Sequence, residues 1–273
     1  MPGGVVEVVF DGRPALVSQG DLVAWVESAA RAVAAYYETF PVERVVLTIH
    51  GGGPGRISSG RTLGVRGLAR IAIGVGDAAT PADLKTNWEL VHEMVHLAFP
   101  SMEGHAWIEE GLATYVEPLV RARAGLAPAD DIWKWLVWGL PRGQSALDRA
   151  GLDGGRSWAA TYWGGALFCF DADVAIRQRT AGKKSLDDAL RGIVRAGGNV
   201  TVEWPLERAF DVGDRAAGVT VLRDLYRRMG SSAPDDDLDA IFSKLGVRST
   251  AAGISYDDSA PLAAIRRGMA TGK

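Results

Sequence analysis

The 273-residue sequence predicts an α+β fold, with a small N-terminal sheet lobe that includes a helix and a mostly helical C-terminal lobe. Short β-branched, apolar runs occur in the first third of the chain, whereas helical periodicity fills the remainder. A hydrophobic content of 47% with 23% charged residues is typical of a chain that buries a core. We expect the functional site in a cleft between the two lobes, where pockets commonly form.

Three strands are predicted in the N-terminal lobe, at residues 5–10, 45–49 and 69–75. Between the first two strands, Asp21 can cap a helix over residues 22–40, whose apolar residues recur at helical spacing. Residues 51–64 carry many glycines and serines, which predicts a loop.

Helices are predicted from Thr80 onwards. Thr80 can cap a helix that we expect to continue to residue 99, and Pro81 suits its first turn. A second helix is predicted over residues 105–123. Further helices are predicted at residues 131–140, 158–179, 186–196, 206–210, 216–229 and 238–245, the first of them ended by Pro141. We expect one domain over residues 1–250, with the sheet lobe at about 1–100 and the helical lobe at about 101–250, and a weakly ordered tail at 251–273.

Charge and cysteine content exclude several classes of protein. The 30 Lys and Arg residues are balanced by 33 Asp and Glu residues, without the basic excess of a nucleic-acid-binding protein. The one cysteine, Cys169, can form neither an internal disulfide nor a cysteine zinc cluster, and we expect it to lie inert in the core. No apolar stretch is long enough to span a membrane and no signal-like core begins the chain, which predicts a cytoplasmic protein unless a leader has been removed.

The segment His92-Glu93-Met94-Val95-His96 is an HExxH motif within a predicted helix. His92 and His96 are four residues apart, so their imidazoles leave the same helical face one turn apart and can bind one zinc ion. The carboxylate of Glu93 lies beside the first ligand, where it can act as a general base on a water molecule. The spacing therefore predicts a catalytic zinc site, and two histidines on an ordinary packed helix are the alternative.

A catalytic zinc ion usually takes three protein ligands and leaves one position open. The next predicted helix supplies Glu109 and Glu110, either of which can face the histidine pair, and spacing alone does not choose between them. His105, at the start of that helix, is a rival ligand. Ordinary acidic residues that favour the first turn of a helix are the alternative interpretation of the glutamate pair.

These motifs together resemble the gluzincin zinc metallopeptidases, in which HExxH is followed by W-[IL]-x-E-G-x-A-x-Y, here residues 107–115. The likeness is to the catalytic domains of aminopeptidase N-like and glycyl aminopeptidase-like enzymes and to small peptidase MA-like proteins. It implies a zincin-like fold, Glu110 as the third zinc ligand and Glu117 as a partner that orients a zinc-binding histidine. Fewer residues separate His96 from Glu110 than is usual in aminopeptidase N-like enzymes, which a shorter connecting loop explains.

A further stretch, Thr161-Tyr162-Trp163-Gly164-Gly165, resembles the Y-x-K-G of the same family. The resemblance implies that the Tyr162 hydroxyl stabilises the oxyanion of the tetrahedral intermediate. Gly164 stands where the family has lysine, and a packed aromatic residue at a helix start is the alternative interpretation of Tyr162.

One expected family feature is missing. The aminopeptidases of this group carry a G-x-M-E-N strand whose glutamate binds the amino terminus of the substrate. No glutamate lies between Glu43 and Glu89 in this chain, so we expect endopeptidase rather than aminopeptidase activity, with Asp77 or Asp83 as the carboxylates that can substitute.

The sequence thus predicts a zinc-dependent metallopeptidase that binds one zinc ion and acts on a peptide or protein substrate. We expect that substrate to add as an extra strand beside residues 69–75, taken as the edge of the sheet. Two alternatives are a non-catalytic, zinc-stabilised peptidase-like binding module and a zinc hydrolase of a non-peptide substrate.

Overall fold

The structure, a computed structural model, describes residues 3–65, 67–147, 150–232, 234, 237–251 and 253–272. It is a mixed α+β structure with a small sheet, as the sequence predicts. The chain divides into two compact units, Met1–Ser101 with Val194–Trp204 and Met102–Ile193 with Pro205–Lys273. The predicted single domain, with two lobes around a cleft, stays a prediction. No helix in the described ranges is both long and apolar enough to cross a lipid bilayer.

The first unit contains a four-stranded sheet in the order β1-β2-β4-β3. Its strands are β1 (Val5–Gly12), β2 (Arg44–Gly51), β3 (Arg61–Val65) and β4 (Leu68–Val75). Strands β1, β2 and β4 are parallel, and β3 pairs antiparallel with β4. The buried residues alternate along β2 and β4, which is why the sequence marks them as strands.

Strand β3 corrects two predictions. Residues 61–64 belong to this strand and not to the loop that the glycines and serines of residues 51–64 predict, and the short strand shows no apolar alternation in sequence. Its pairing with β4 supplies the backbone hydrogen bonds that the local sequence does not indicate. Since β3 pairs with residues 68–72 of β4 and Ile57 forms a bridge to Val75, residues 69–75 are not an edge strand. The premise on which substrate was predicted to dock beside them is therefore wrong.

The helices of the first unit are α1 (Gln19–Tyr37), α2 (Pro81–Thr86) and α3 (Glu89–His96). Helix α1 is capped by Ser18, and Asp21, predicted as the cap, instead closes the capping box from inside the helix. The continuous helix predicted for residues 81–99 is wrong, because the backbone of Asn87 is extended there. The Asn87 side chain accepts a hydrogen bond from the Leu90 amide at 3.1 Å and so starts the new helix that carries HExxH.

The second unit is mostly helical. Its helices are α4 (Ala106–Arg123), α5 (Ala129–Leu147), α6 (Gly151–Gly154), α7 (Gly165–Arg179), α8 (Leu186–Arg195), α9 (Leu206–Ala217), α10 (Leu222–Met229), α11 (Leu238–Leu245) and α12 (Ala263–Thr271). A single π-helical turn, Ala160–Gly164, leads into α7. The hairpin of β5 (Val247–Thr250) and β6 (Gly253–Tyr256) precedes α12.

Two predicted helix boundaries in this unit are corrected, and the expected weakly ordered tail contains regular secondary structure. Helix α5 continues through Pro141, because its buried face extends from Trp133 past the proline to Leu147. Helix α9 continues to Ala217 and ends at Gly218, whose φ of 73° is left-handed. The tail expected at 251–273 holds β6 and α12, and Arg266 fixes it by donating to the carbonyl oxygens of Leu245 and Gly246 at 3.0 Å each. Sequence periodicity does not reveal such contacts.

Candidate metal centre

Helix α3 places His92 and His96 side by side. Four apolar residues of the helix lie in the core: Leu90, Val91, Met94 and Val95. The two imidazole rings leave the other face of the helix one turn apart, with centroids separated by 4.9 Å and planes at 83°. His92 is buried at 6% exposure, and the indole of Trp88 meets it edge-on with ring centroids 5.5 Å apart.

Glu110 completes a group of three possible ligands. One ring nitrogen from each of His92 and His96 and one carboxylate oxygen of Glu110 all lie within 4.8 Å of one another. Two imidazoles and a carboxylate are the ligand set of many catalytic zinc sites, in which a fourth position stays open. The donor chemistry and partial burial of this group therefore fit zinc.

The neighbouring alternatives have other contacts. Glu109 points to the chain before α4, where its Oε1 accepts a hydrogen bond from the Met102 amide at 2.6 Å. The Nδ1 atom of His105 lies 3.1 Å from Asp153, a carboxylate that also accepts hydrogen bonds from Trp107 and Tyr226. Of the candidates that spacing leaves open, Glu110 is the one that lies in the group with His92 and His96.

Glu93 lies next to the first histidine and is 7% exposed. The hydroxyl of Thr62 on β3 lies 2.6 Å from its Oε2 atom and 2.8 Å from its carbonyl oxygen. Gly60, just before β3, leaves room for the Glu93 side chain. Neither contact is visible from the sequence, because the glycines and serines of residues 51–64 predict a loop there.

Tyr162 and Glu117 lie in the second unit. Tyr162 is half-buried in the π-helical turn, and its ring stacks on Trp158 with centroids 5.2 Å apart. A π-helical turn is often found at a functional site. Glu117 is 5% exposed, lies two turns beyond Glu110 on α4, and accepts a hydrogen bond from Arg121 at 3.2 Å. The catalytic role of Tyr162 and the histidine-orienting role of Glu117 stay predictions.

The two aspartates considered as substitutes for a family glutamate have structural partners. Asp83 accepts hydrogen bonds from the amide and hydroxyl of Thr80, at 2.8 and 2.6 Å, and pairs with Arg56. These contacts lower the pKa of Asp83, chiefly through the Thr80 side chain. Asp77 accepts a hydrogen bond from the Ala15 amide at 3.1 Å.

The fold is similar to that of known zinc peptidases. An aminopeptidase N family protein from Idiomarina loihiensis matches with a TM-score of 0.62 and 14% identity, over 90% of this chain and 48% of that one. A two-domain M1 zinc metallopeptidase bound to L-tryptophan matches with a TM-score of 0.51 and 16% identity, over 85% and 49% of the two chains. Yeast LTA4 hydrolase in complex with bestatin matches with a TM-score of 0.53 and 12% identity, over 88% and 40%.

The likeness is one of fold, since identity is low throughout, and the chain spans about half or less of the length of these structures. No protein-family model matches the chain, and no curated protein matches it in sequence.

Proposed function

We propose that this chain is a zinc-dependent metallopeptidase. The observation that carries the proposal is that one ligand atom from each of His92, His96 and Glu110 lies within 4.8 Å of the other two. These nitrogen and oxygen donors suit zinc, and Glu93 is adjacent to His92 in the sequence. The likeness of the fold to zinc metallopeptidases supports a hydrolase. The substrate class comes from this likeness and from the HExxH motif together.

Three residues would hold the metal. His92 and His96 would bind as neutral imidazoles and Glu110 as a carboxylate. A zinc ion bound there would supply Lewis acidity, which would lower the pKa of a water molecule to near neutral and polarise the scissile carbonyl. Partial burial of the ligand group limits competition from bulk water and strengthens electrostatic interactions at the reaction centre.

Glu93 would act as the general base. Its carboxylate belongs to the helix that carries both histidines but not to the ligand group, so it is available to take a proton from water. The same carboxyl group then passes that proton to the leaving amine. Tyr162 would donate a hydrogen bond to the oxyanion, and Glu117 would orient a zinc-binding histidine.

We further propose internal cleavage of the substrate rather than removal of its first residue. Binding a cationic amino terminus requires a carboxylate near the scissile bond, and no glutamate occurs between Glu43 and Glu89. The carboxylate of Asp83 is already engaged by Thr80 and Arg56. A peptide interior carries no such charge and does not need this ion pair.

A combined zinc and peptide-cleavage measurement tests the function. The wild-type protein should hold about one zinc ion and cleave a mixed-peptide library at internal bonds, read by mass spectrometry. Glu93→Gln should keep its zinc and lose at least about 100-fold of the activity, because the base is removed while the ligands stay. Glu89→Gln on the same helix is the matched control and should stay active.

Two results would argue against the proposal. Near-normal turnover by zinc-loaded Glu93→Gln would remove Glu93 from the base role. Stoichiometric zinc with no cleavage anywhere in the library would favour a zinc-stabilised binding module instead. Terminal cleavage alone would overturn only the preference for internal bonds.

A further inference from the structure

The hydroxyl of Thr62 makes two close approaches to the same residue of the HExxH helix. Its Oγ1 atom lies 2.6 Å from Oε2 of Glu93 and 2.8 Å from the Glu93 carbonyl oxygen. Both are hydrogen-bond distances for a hydroxyl group. Thr62 thus ties the proposed base to the strand beside it, and Glu93 is buried where it does so.

Thr62 is a polar residue on the apolar face of the sheet. The strand registers place Val8, Leu47, Ile71 and Thr62 in one row across β1, β2, β4 and β3. Residues directly opposite each other point to the same face, so Thr62 shares the face of the buried residues Leu47 and Ile71. Helix α3 packs against β3 and β4. A hydroxyl ends an otherwise apolar row at the place where Glu93 lies.

Gly60 leaves the space that the Glu93 side chain occupies. A Cβ atom at this position would overlap Cγ of Glu93 and lie 3.0 Å from both Cδ and Oε1. The backbone of Gly60 is not among the glycines with positive φ, so its lack of a side chain serves space rather than backbone conformation. Only glycine leaves the observed position of the Glu93 side chain open.

We propose that Thr62 is a positioning residue for Glu93, and that Gly60 provides the space in which Thr62 holds it. This inference rests on the proposed function, because it assigns Thr62 a role through the base. A hydroxyl can donate to one oxygen and accept at another. Thr62 can therefore hold the Glu93 side chain by donating to its carboxylate, or by accepting from its carboxyl group while donating to the backbone carbonyl.

Removing the hydroxyl should slow turnover without changing substrate binding. Thr62→Val keeps the β-branched shape and removes the hydrogen bonds, so we expect kcat to fall about 10- to 100-fold, the range typical of lost supporting contacts. KM and zinc content should stay near wild-type values. Thr62→Ser keeps the hydroxyl but removes the methyl group, and it should retain most of kcat. If Thr62 mattered only through the packing of its methyl group, Thr62→Ser would lose activity instead.

Two further variants keep the test decisive. Thr48→Val removes a hydroxyl from the opposite face of the same sheet and should leave kcat unchanged. Gly60→Ala should lower kcat with zinc retained, and it serves if Thr62→Val folds poorly. A crystal structure of the metal-free Thr62→Val protein should show the Glu93 carboxylate displaced or disordered.

The outcomes separate this inference from the proposed function. Wild-type kcat in Thr62→Val, or no recovery in Thr62→Ser, would overturn the positioning role while the peptidase stands. An unmoved, well-ordered Glu93 in crystals of Thr62→Val would overturn it as well. If the wild-type protein cleaves no peptide, the proposed function fails, and the crystal structure still decides whether Thr62 fixes the Glu93 side chain.

Discussion

Gly111 on α4 and Gly165 at the start of α7 lie in direct backbone contact. A Cβ atom on Gly111 would overlap the main chain of Gly165, and one on Gly165 would overlap the carbonyl oxygen of Trp107. The two helices therefore cross at a distance that only glycine permits. Gly111 directly follows Glu110, and Gly165 lies three residues after Tyr162. The glycine that follows the proposed ligand therefore has a packing function at this crossing.

Gly111→Ala should destabilise the protein by about 1–3 kcal/mol, because an added methyl group forces two backbones apart. The free energy of unfolding in urea measures this. Gly20→Ala in the first turn of α1 is the matched control, since its Cβ would meet only the Ser18 hydroxyl at 3.7 Å. That control should be neutral or slightly stabilising. Equal stability of Gly111→Ala and wild type would show that the crossing can relax.

Zinc affinity should distinguish the two neighbouring glutamates. Glu110→Gln should weaken zinc binding by more than about 100-fold, because it removes a charged ligand rather than a supporting contact. Glu109→Gln should bind zinc normally, since an amide oxygen can still accept from the Met102 amide. Competition with a coloured chelator measures both constants. A reversed order would identify Glu109 as the ligand.

Tyr162→Phe should lower kcat by about 100- to 1000-fold with zinc content unchanged, as expected when a donor to an oxyanion is lost. Tyr256→Phe provides the control, because its hydroxyl bonds to Asp130, a residue with no role in the proposed chemistry. Steady-state kinetics on a peptide cleaved by the wild type gives both values. Full activity of Tyr162→Phe would leave the tyrosine with a packing role alone.

Cys169 should be unreactive in the folded protein. Its thiol is 1% exposed, and burial, together with the nearby charges of Asp173 and Asp171, raises its pKa far above the usual value. Raising the pH to 9 should therefore produce no thiolate, and a disulfide reagent should react only after unfolding in guanidinium. Rapid stoichiometric labelling of the native protein at pH 8 would contradict this.

Local spacing carried most of what the sequence could predict about the candidate site. The i, i+4 histidines needed only one turn of helix, and α4 was visible from its apolar periodicity. Spacing left Glu109, Glu110 and His105 open as the third ligand, and only the family resemblance pointed to Glu110. The contacts of Glu109 with Met102 and of His105 with Asp153 are not encoded by spacing.

Long-range strand pairing and one local side-chain interaction account for two features that the sequence could not predict. Strand β3 exists because β4 supplies its hydrogen bonds, so neither the strand nor the contact of Thr62 with Glu93 could be inferred locally. The break between α2 and α3 depends on the Asn87 side chain bonding to the Leu90 amide, a competing local interaction within a helix-like pattern.

Anomalous diffraction at the zinc edge, from crystals grown with zinc, tests the central claim most directly. The account predicts one strong peak bonded to a nitrogen of His92, a nitrogen of His96 and an oxygen of Glu110, each at about 2.0–2.2 Å. A peak held by the histidines without Glu110, or no peak at this group, would contradict it.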